Sequence, residues 1–251
     1  MNGGRRAAAA SACLAAAGAA ALPPGSVTPS GAVVPENLLR IELHLRHPLP
    51  HPLAMDHVRL LAANGEPLAD ALLDLPLPDH DGRTITLLLD PARVKTGVGA
   101  NRAMGRALHA GDEVELVVDD PQLALPLRKR WQVGPSVARA VTASPLERDP
   151  PRAGTRAPIT VALGAPLTAS GVSLIAVRGP DGRRVDGAAS LGAGETTWTF
   201  RPARAWSAGT HALVLHPRLE DVAGNRPCAP FEARDLSDVR CDGAERAFEV
   251  R

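Results

Sequence analysis

Tyrosine is absent from this chain of 251 residues, and Phe and Trp number only three each. Its hydrophobic content rests on Ala, Val and Leu, so any core is aliphatic. Grooves for sugars or single-stranded nucleic acid usually present exposed aromatic rings for stacking, and this scarcity argues against both. An excess of one charge is missing too: 28 basic residues stand against 27 acidic ones, a formal charge of +1. Without a basic footprint, no nucleic-acid partner is expected. No apolar run is long enough for a membrane span, since the Ala-rich N-terminal stretch is interrupted by Gly18. What is plentiful is proline, 24 residues, and glycine, 23, without a collagen-like period. That excludes long helices and leaves room for many short strands and turns, in a chain long enough for two domains.

The N-terminus reads MNGGRR, then AAAASACLAAAGAAAL, then PPGS. A positive region, a short apolar stretch, small residues and helix breakers make a secretory signal, with cleavage expected near Ala21. Loss of Arg5 and Arg6 with that leader would bring the charge close to neutral. Ala10-Ser11-Ala12-Cys13 also has the form of a lipoprotein cleavage site, but too few residues separate it from the arginines, so anchoring through Cys13 is the minor reading. Once Cys13 leaves, Cys228 and Cys241 remain, and an even pair close in sequence in an exported chain points to a disulfide. It would close a loop of about 14 residues, worth about 3 kcal/mol in the chain-entropy view. The competing reading is two free thiols. A metal site is poorer still, because neither His nor further Cys lies within the loop.

The chain repeats itself. LRIELHLRHPL (39–49) returns as APITVALGAPL (157–167), and VRLLAANGEPLADA (58–71) as VSLIAVRGPDGRRVDGAA (172–189). RTITLLLDPARV returns as TTWTFRPARAW, AGDEVELVVDD as AGTHALVLHPRLEDVAGN, and WQVG (131–134) as FEVR (248–251). Each unit covers about 100 residues, the size of one sandwich domain. Period-two alternation sends Ile41, Leu43 and Leu45 inward and Glu42, His44 and Arg46 to water; Ile159, Val161 and Leu163 are the inward set of the second unit. Ile85, Leu87 and Leu89 alternate likewise, as do Trp198 and Phe200. Insertions fall between strands: VKTGVGANRAMGRAL in the first unit and the cysteine-bearing segment in the second.

The second unit carries Trp198, Phe200, Pro202, Trp206, Ala208 and Gly209, followed by Leu219-Glu220-Asp221-Val222-Ala223-Gly224-Asn225. In this motif order the chain resembles the bacterial Ig-like domains of S-layer and other exported proteins over residues 35 to 251. The resemblance implies an all-β chain: two tandem Ig-like antiparallel β-sandwiches after a signal peptide. Expected bounds are a signal peptide at 1–21, a disordered linker at 22–34, sandwiches at 35–135 and 156–251, and a linker with an edge segment at 136–155. His211 stands where such domains often have a tyrosine, so a tyrosine-corner hydrogen bond is not expected. The family serves as spacer, stalk or binding scaffold, which fixes fold better than function.

Several clusters invite chemistry. His44, His47, His51 and His57, with His80 and His109 farther on, are joined by no Met-rich or Cys ligand set, although imidazoles on an exported sandwich are what copper-handling proteins use. His44 should project from a strand while His47 and His51 lie in a proline-rich turn, so polar surface histidines are the preferred reading and metal binding the alternative. GVGANRAMG (97–105) lacks the Gly-Lys-Ser/Thr ending of a phosphate loop and reads as an inserted cover or edge loop. Asp221, Gly224 and Asn225 offer too few oxygens for calcium and read as a turn. No G-x-S-x-G elbow, zinc-peptidase helix or nucleophile–base pair is present, and Glu113, Glu115, Asp119 and Asp120 read as solvent-facing charge. The expectation is a monomeric, non-catalytic structural or interaction module without cofactor, periplasmic or at the cell surface, binding an envelope protein or polymer of unknown identity.

Overall fold

The computed structural model describes residues 25–96, 99–145, 150–231 and 244–251. The expected signal peptide, Cys13 and Cys241 lie outside them, as do residues 146–149 of the expected linker and residues 97 and 98 of the inserted loop.

Two pairs of sheets account for nearly all the regular structure. In the first unit, one sheet runs β1 (Ser26–Thr28), β3 (Arg40–His44), β6 (Thr84–Leu88), β5 (Leu77–Pro78). The facing sheet runs β2 (Val33–Pro35), β8 (Leu127–Gly134), β7 (Glu113–Val118), β4 (Val58–Ala62). In the second unit, β9 (Ala143–Pro145), β10 (Ile159–Leu163), β13 (Thr197–Pro202) and β12 (Gly187–Leu191) face β11 (Ile175–Arg178), β14 (Gly209–Leu215) and β15 (Glu245–Val250). Antiparallel pairing prevails, with β2 running parallel to β8. This is the A-B-E-D against C-F-G order of an Ig-like sandwich, written twice. The repeated blocks occupy equivalent strands: β3 and β10, β4 and β11, β6 and β13, β7 and β14, β8 and β15.

Each unit buries its own core. Ile41, Leu43, Leu60, Leu87, Leu116 and Trp131 belong to the first, and Ile159, Val161, Ile175, Trp198, Phe200 and Leu213 to the second. Alternation therefore reads the inward faces correctly, but the wholly aliphatic core expected from composition is not found: Trp131 lies in the first core, and Trp198, Phe200 and Trp206 pack ring against ring in the second. Each tryptophan also finds a carbonyl for its indole N–H: Trp131 donates to Pro29 O at 2.9 Å, Trp198 to Val172 O at 3.2 Å and Trp206 to Ala157 O at 2.8 Å. His211, in the tyrosine's place, is buried between Trp206 and Phe248, and its Nδ1 lies 3.1 Å from Gly209 O.

Three further expectations need correction. Of the disordered linker expected at 22–34, residues 22–24 lie outside the described residues, and residues 25–34 are ordered by β1 and β2: Val27 pairs with Leu43, Val34 with Val133, and both valines are buried. Pro29, Ser30 and Gly31 mimic a linker in sequence, but they carry the chain from one sheet to the other and are pinned by the Trp131 indole. Glu42 does not face water; it is 5% exposed, for a reason that lies in the second unit. Asp120 is buried as well, capping a turn by accepting from Gln122 N–H at 2.8 Å. The inserted loop contains a short helix, α2 (Gly99–Met104), after α1 (Pro91–Val94).

Trp198 is wholly buried. Trp198→Ala should lower the unfolding free energy of the second sandwich by about 3–5 kcal/mol in chemical denaturation. Leu125→Ala, at a residue 64% exposed, should stay within about 0.5 kcal/mol of wild type.

Candidate functional site

The L-E-D-V-A-G-N segment follows β14 and is buried at every residue. Asp221 organises it. Its Oδ1 accepts from the backbone N–H of Ala223 and of Asn225, both at 2.9 Å, and its Oδ2 accepts from Asn225 Nδ2 at 2.8 Å. Asn225 uses its second amide proton on Val137 O at 2.8 Å and accepts from Phe231 N–H at 2.9 Å. The turn reading of these residues is thus the observed one. Gly224 adopts φ +79, and a Cβ there would stand 2.7 Å from Leu39 Cδ2, so glycine is required twice over.

Leu39 belongs to the other unit, and that contact shows where the loop sits. Val222 is 3% exposed and packs within the first sandwich's core, while its carbonyl accepts from Leu39 N–H at 2.8 Å and Arg40 N–H at 3.1 Å at the start of β3. Arg40 and Arg226 bracket Glu220. The other loops at this end of the second sandwich are engaged too. Ala169 N–H, between β10 and β11, donates to Glu42 Oε2 at 2.7 Å, which explains the burial of that carboxylate. Between β12 and β13, Glu195 Oε2 accepts from Ser30 N–H at 2.8 Å. Asn37 closes the set by a reciprocal pair with the connecting segment: its Nδ2 donates to Val137 O at 2.8 Å and its Oδ1 accepts from Val137 N–H at 2.9 Å. Several loops, rather than a linker alone, therefore fix the angle between the sandwiches.

The opposite end of the first sandwich is open. There the segments 45–57, 79–83 and 119–126 come together, joined by His51 N–H donating to Gln122 Oε1 at 2.8 Å. Pro48, Pro50, Pro52, Pro76 and Pro78 wall a cleft of about 250 Å³. Leu125, Leu77 and Leu75 are exposed in the same unit.

The histidines do not converge. His44 Nε2 lies 2.9 Å from Thr28 Oγ1 and 3.7 Å from Glu42 Oε2; His57 is 3.8 Å from Asp56; His47 and His51 lie exposed in the proline-rich turn. Among the described residues, no three His, Cys, Asp or Glu side chains come together to hold a metal ion. Glu113 and Glu115 lie in surface ion pairs with Arg130 and Arg128. Cys228 is half-buried near the junction. The junction itself was missed in sequence; its one local signal was an Asp-x-x-x-Asn turn bracketed by apolar residues.

No protein-family model and no curated protein matches the chain. Among solved structures it is similar to domains 5-6 of the S-layer protein SbsC, at 10% identity over 91% of this chain and 97% of that one, TM-score 0.30. It is also similar to a chimeric titin Z1Z2, at 13% identity over 78% and 87%, TM-score 0.27. Dpr2 Ig1-Ig2 follows at 10% identity over 91% and 94%, TM-score 0.25. The class rests on the strand order: an all-β protein of two tandem Ig-like sandwiches. No helix among the described residues is long and apolar enough to cross a membrane.

Burial lifts the Asp221 carboxyl from 3.8 to about 6, against the opposing pull of the Asn225 and Ala223 donors, with Glu220 adding to the rise. A carboxyl raised in the folded state stabilises it while protonated; that contribution is whole below pH 3.8 and lost as pH climbs through about 6. The shift corresponds to about 3 kcal/mol. Unfolding free energies of wild type and Asp221→Asn, followed across this range, should differ by an amount that moves against wild type by about 3 kcal/mol as pH rises. A pH-independent difference would contradict the assignment.

Proposed function

We propose that the chain is an exported, non-catalytic structural or interaction module of the bacterial cell envelope. The observation that carries this reading is the unequal fate of the loops. Described loop residues at one end of the second sandwich hold the first, whereas, among the described residues, the equivalent loops of the first sandwich stand free at the far end. Loops clustered at the end of a sandwich are the usual recognition surface of Ig-like domains. Here they are stiffened by proline, which lowers the entropy lost when a partner docks. The partner is an envelope protein or polymer, and the exposed leucines favour a contact that is partly apolar.

The leader at residues 1–21 directs export to the periplasm or cell surface, and a disulfide between Cys228 and Cys241 then forms between β14 and β15 in the sequence. The sandwiches divide within residues 136–155.

Protein released from the envelope fraction of an expressing bacterium should have the mass of a chain cut near Ala21 and two hydrogens lighter than its reduced form. An uncut chain confined to the cytoplasm would remove the export reading. A photo-cross-linking residue at Leu125 should capture an envelope component, whereas the same residue at Arg201, on the exposed face of β13, should not. Capture at both sites, or at neither, would count against recognition by the free loops.

A further inference from the structure

Outer edges of sheets are where chains pair with one another unless they are covered, charged or broken by proline. Most edges here have such protection. Beside β4, the chain doubles back so that Leu68 N–H donates to Leu60 O at 2.8 Å, and beside β11, Val185 N–H donates to Val177 O at 2.8 Å. The first sandwich's β5 is two residues long, contains Pro78 and is preceded by Pro76. Its counterpart in the second sandwich, β12, is different. Gly187-Ala188-Ala189-Ser190-Leu191 has no charge and no proline, and its first four residues are exposed.

The ladder to β13 shows which backbone groups are unused. Gly192 N–H donates to Thr197 O at 2.9 Å and Ala203 N–H to Asp186 O at 2.8 Å, on either side of β12. By the alternation of antiparallel pairing, residues 188 and 190 direct their N–H and C=O groups at β13, and residues 187, 189 and 191 direct theirs away from the sheet. No described residue makes a backbone hydrogen bond to those outward groups.

We infer that β12 is a self-association edge, pairing antiparallel with β12 of a second copy of this chain about a two-fold axis at Ala189. In that register Gly187 faces Leu191 of the second copy, Ala188 faces Ser190, and Ala189 faces itself. All the outward groups of both strands find partners, and no charged residue meets another: Asp186 falls opposite Gly192. The occupant follows from the side chains. A foreign strand would find neither charge nor pocket on Gly-Ala-Ala-Ser-Leu to read, whereas self-pairing needs only small side chains and a two-fold register. Gly187 cannot be filled in, since a Cβ there would lie 2.4 Å from Arg201 O and 2.5 Å from the Phe200 ring. The dimer would carry one continuous sheet, β9-β10-β13-β12 joined to its copy, with the two first sandwiches pointing in opposite directions. A chain expected from its sequence to be a monomer would thereby present its free loops at both ends.

Sedimentation equilibrium of the mature, oxidised protein over a concentration series tests this. The weight-average mass should rise toward twice that of the chain. Ala189→Pro should abolish the rise with folding intact, because the N–H it removes points away from β13. Ala188→Lys with Ser190→Lys places like charges across the pairing on the solvent face and should do the same. If the proline variant fails to fold, by circular dichroism, the lysine pair decides alone. A protein monomeric throughout, or a dimer that the folded variants leave intact, overturns the inference.

Discussion

The arrangement depends on one buried turn. Asp221 and Asn225 satisfy one another and the backbone around them so completely that a loop of polar residues can leave water. Val222 is then free to enter a core that belongs to the other half of the chain. Without those hydrogen bonds, burial of a carboxylate and a carboxamide would cost more than the contact of one valine returns. With them, the turn is a rigid plug. Its raised carboxyl pKa is the residual sign of the desolvation it withstands.

Around that plug the other contacts are mutually reinforcing. Glu42 receives Ala169 N–H, Glu195 receives Ser30 N–H, and Asn37 clasps the connecting segment at Val137. Each is a charge-assisted or reciprocal hydrogen bond, partly buried, of the kind that specifies geometry as much as it adds stability. Ordinary interdomain contacts within a chain permit relative motion. A shared core residue together with several partly buried polar contacts opposes such motion and ties the direction of the first sandwich's far loops to the second sandwich.

Much of the fold could be read in the sequence because it is local. Ile41 and Leu43, or Trp198 and Phe200, announce their strands by alternation alone, and the repeated blocks announce two units. What could not be read depends on distant partners. Val27 and Val34 sit among Pro29, Ser30 and Gly31, and nothing nearby says that Leu43 and Val133 wait for them. Glu42 alternates perfectly with Ile41 and Leu43, yet its solvent is replaced by a loop far along the chain. Asp221 to Asn225 was legible as a turn but not as a junction, since its hydrogen bonds are local while the cavity it fills is not. The histidines, though close in sequence, lie apart on a strand, a helix end and a turn.

The central claim, that the two sandwiches form one body because Val222 is embedded in the first, is tested most directly by residual dipolar couplings of the mature protein in a weakly aligned medium. Amides of both sandwiches should fit a single alignment tensor with this interdomain geometry. Two tensors of different magnitude and orientation, one for each sandwich, would show that they move independently and would contradict the account.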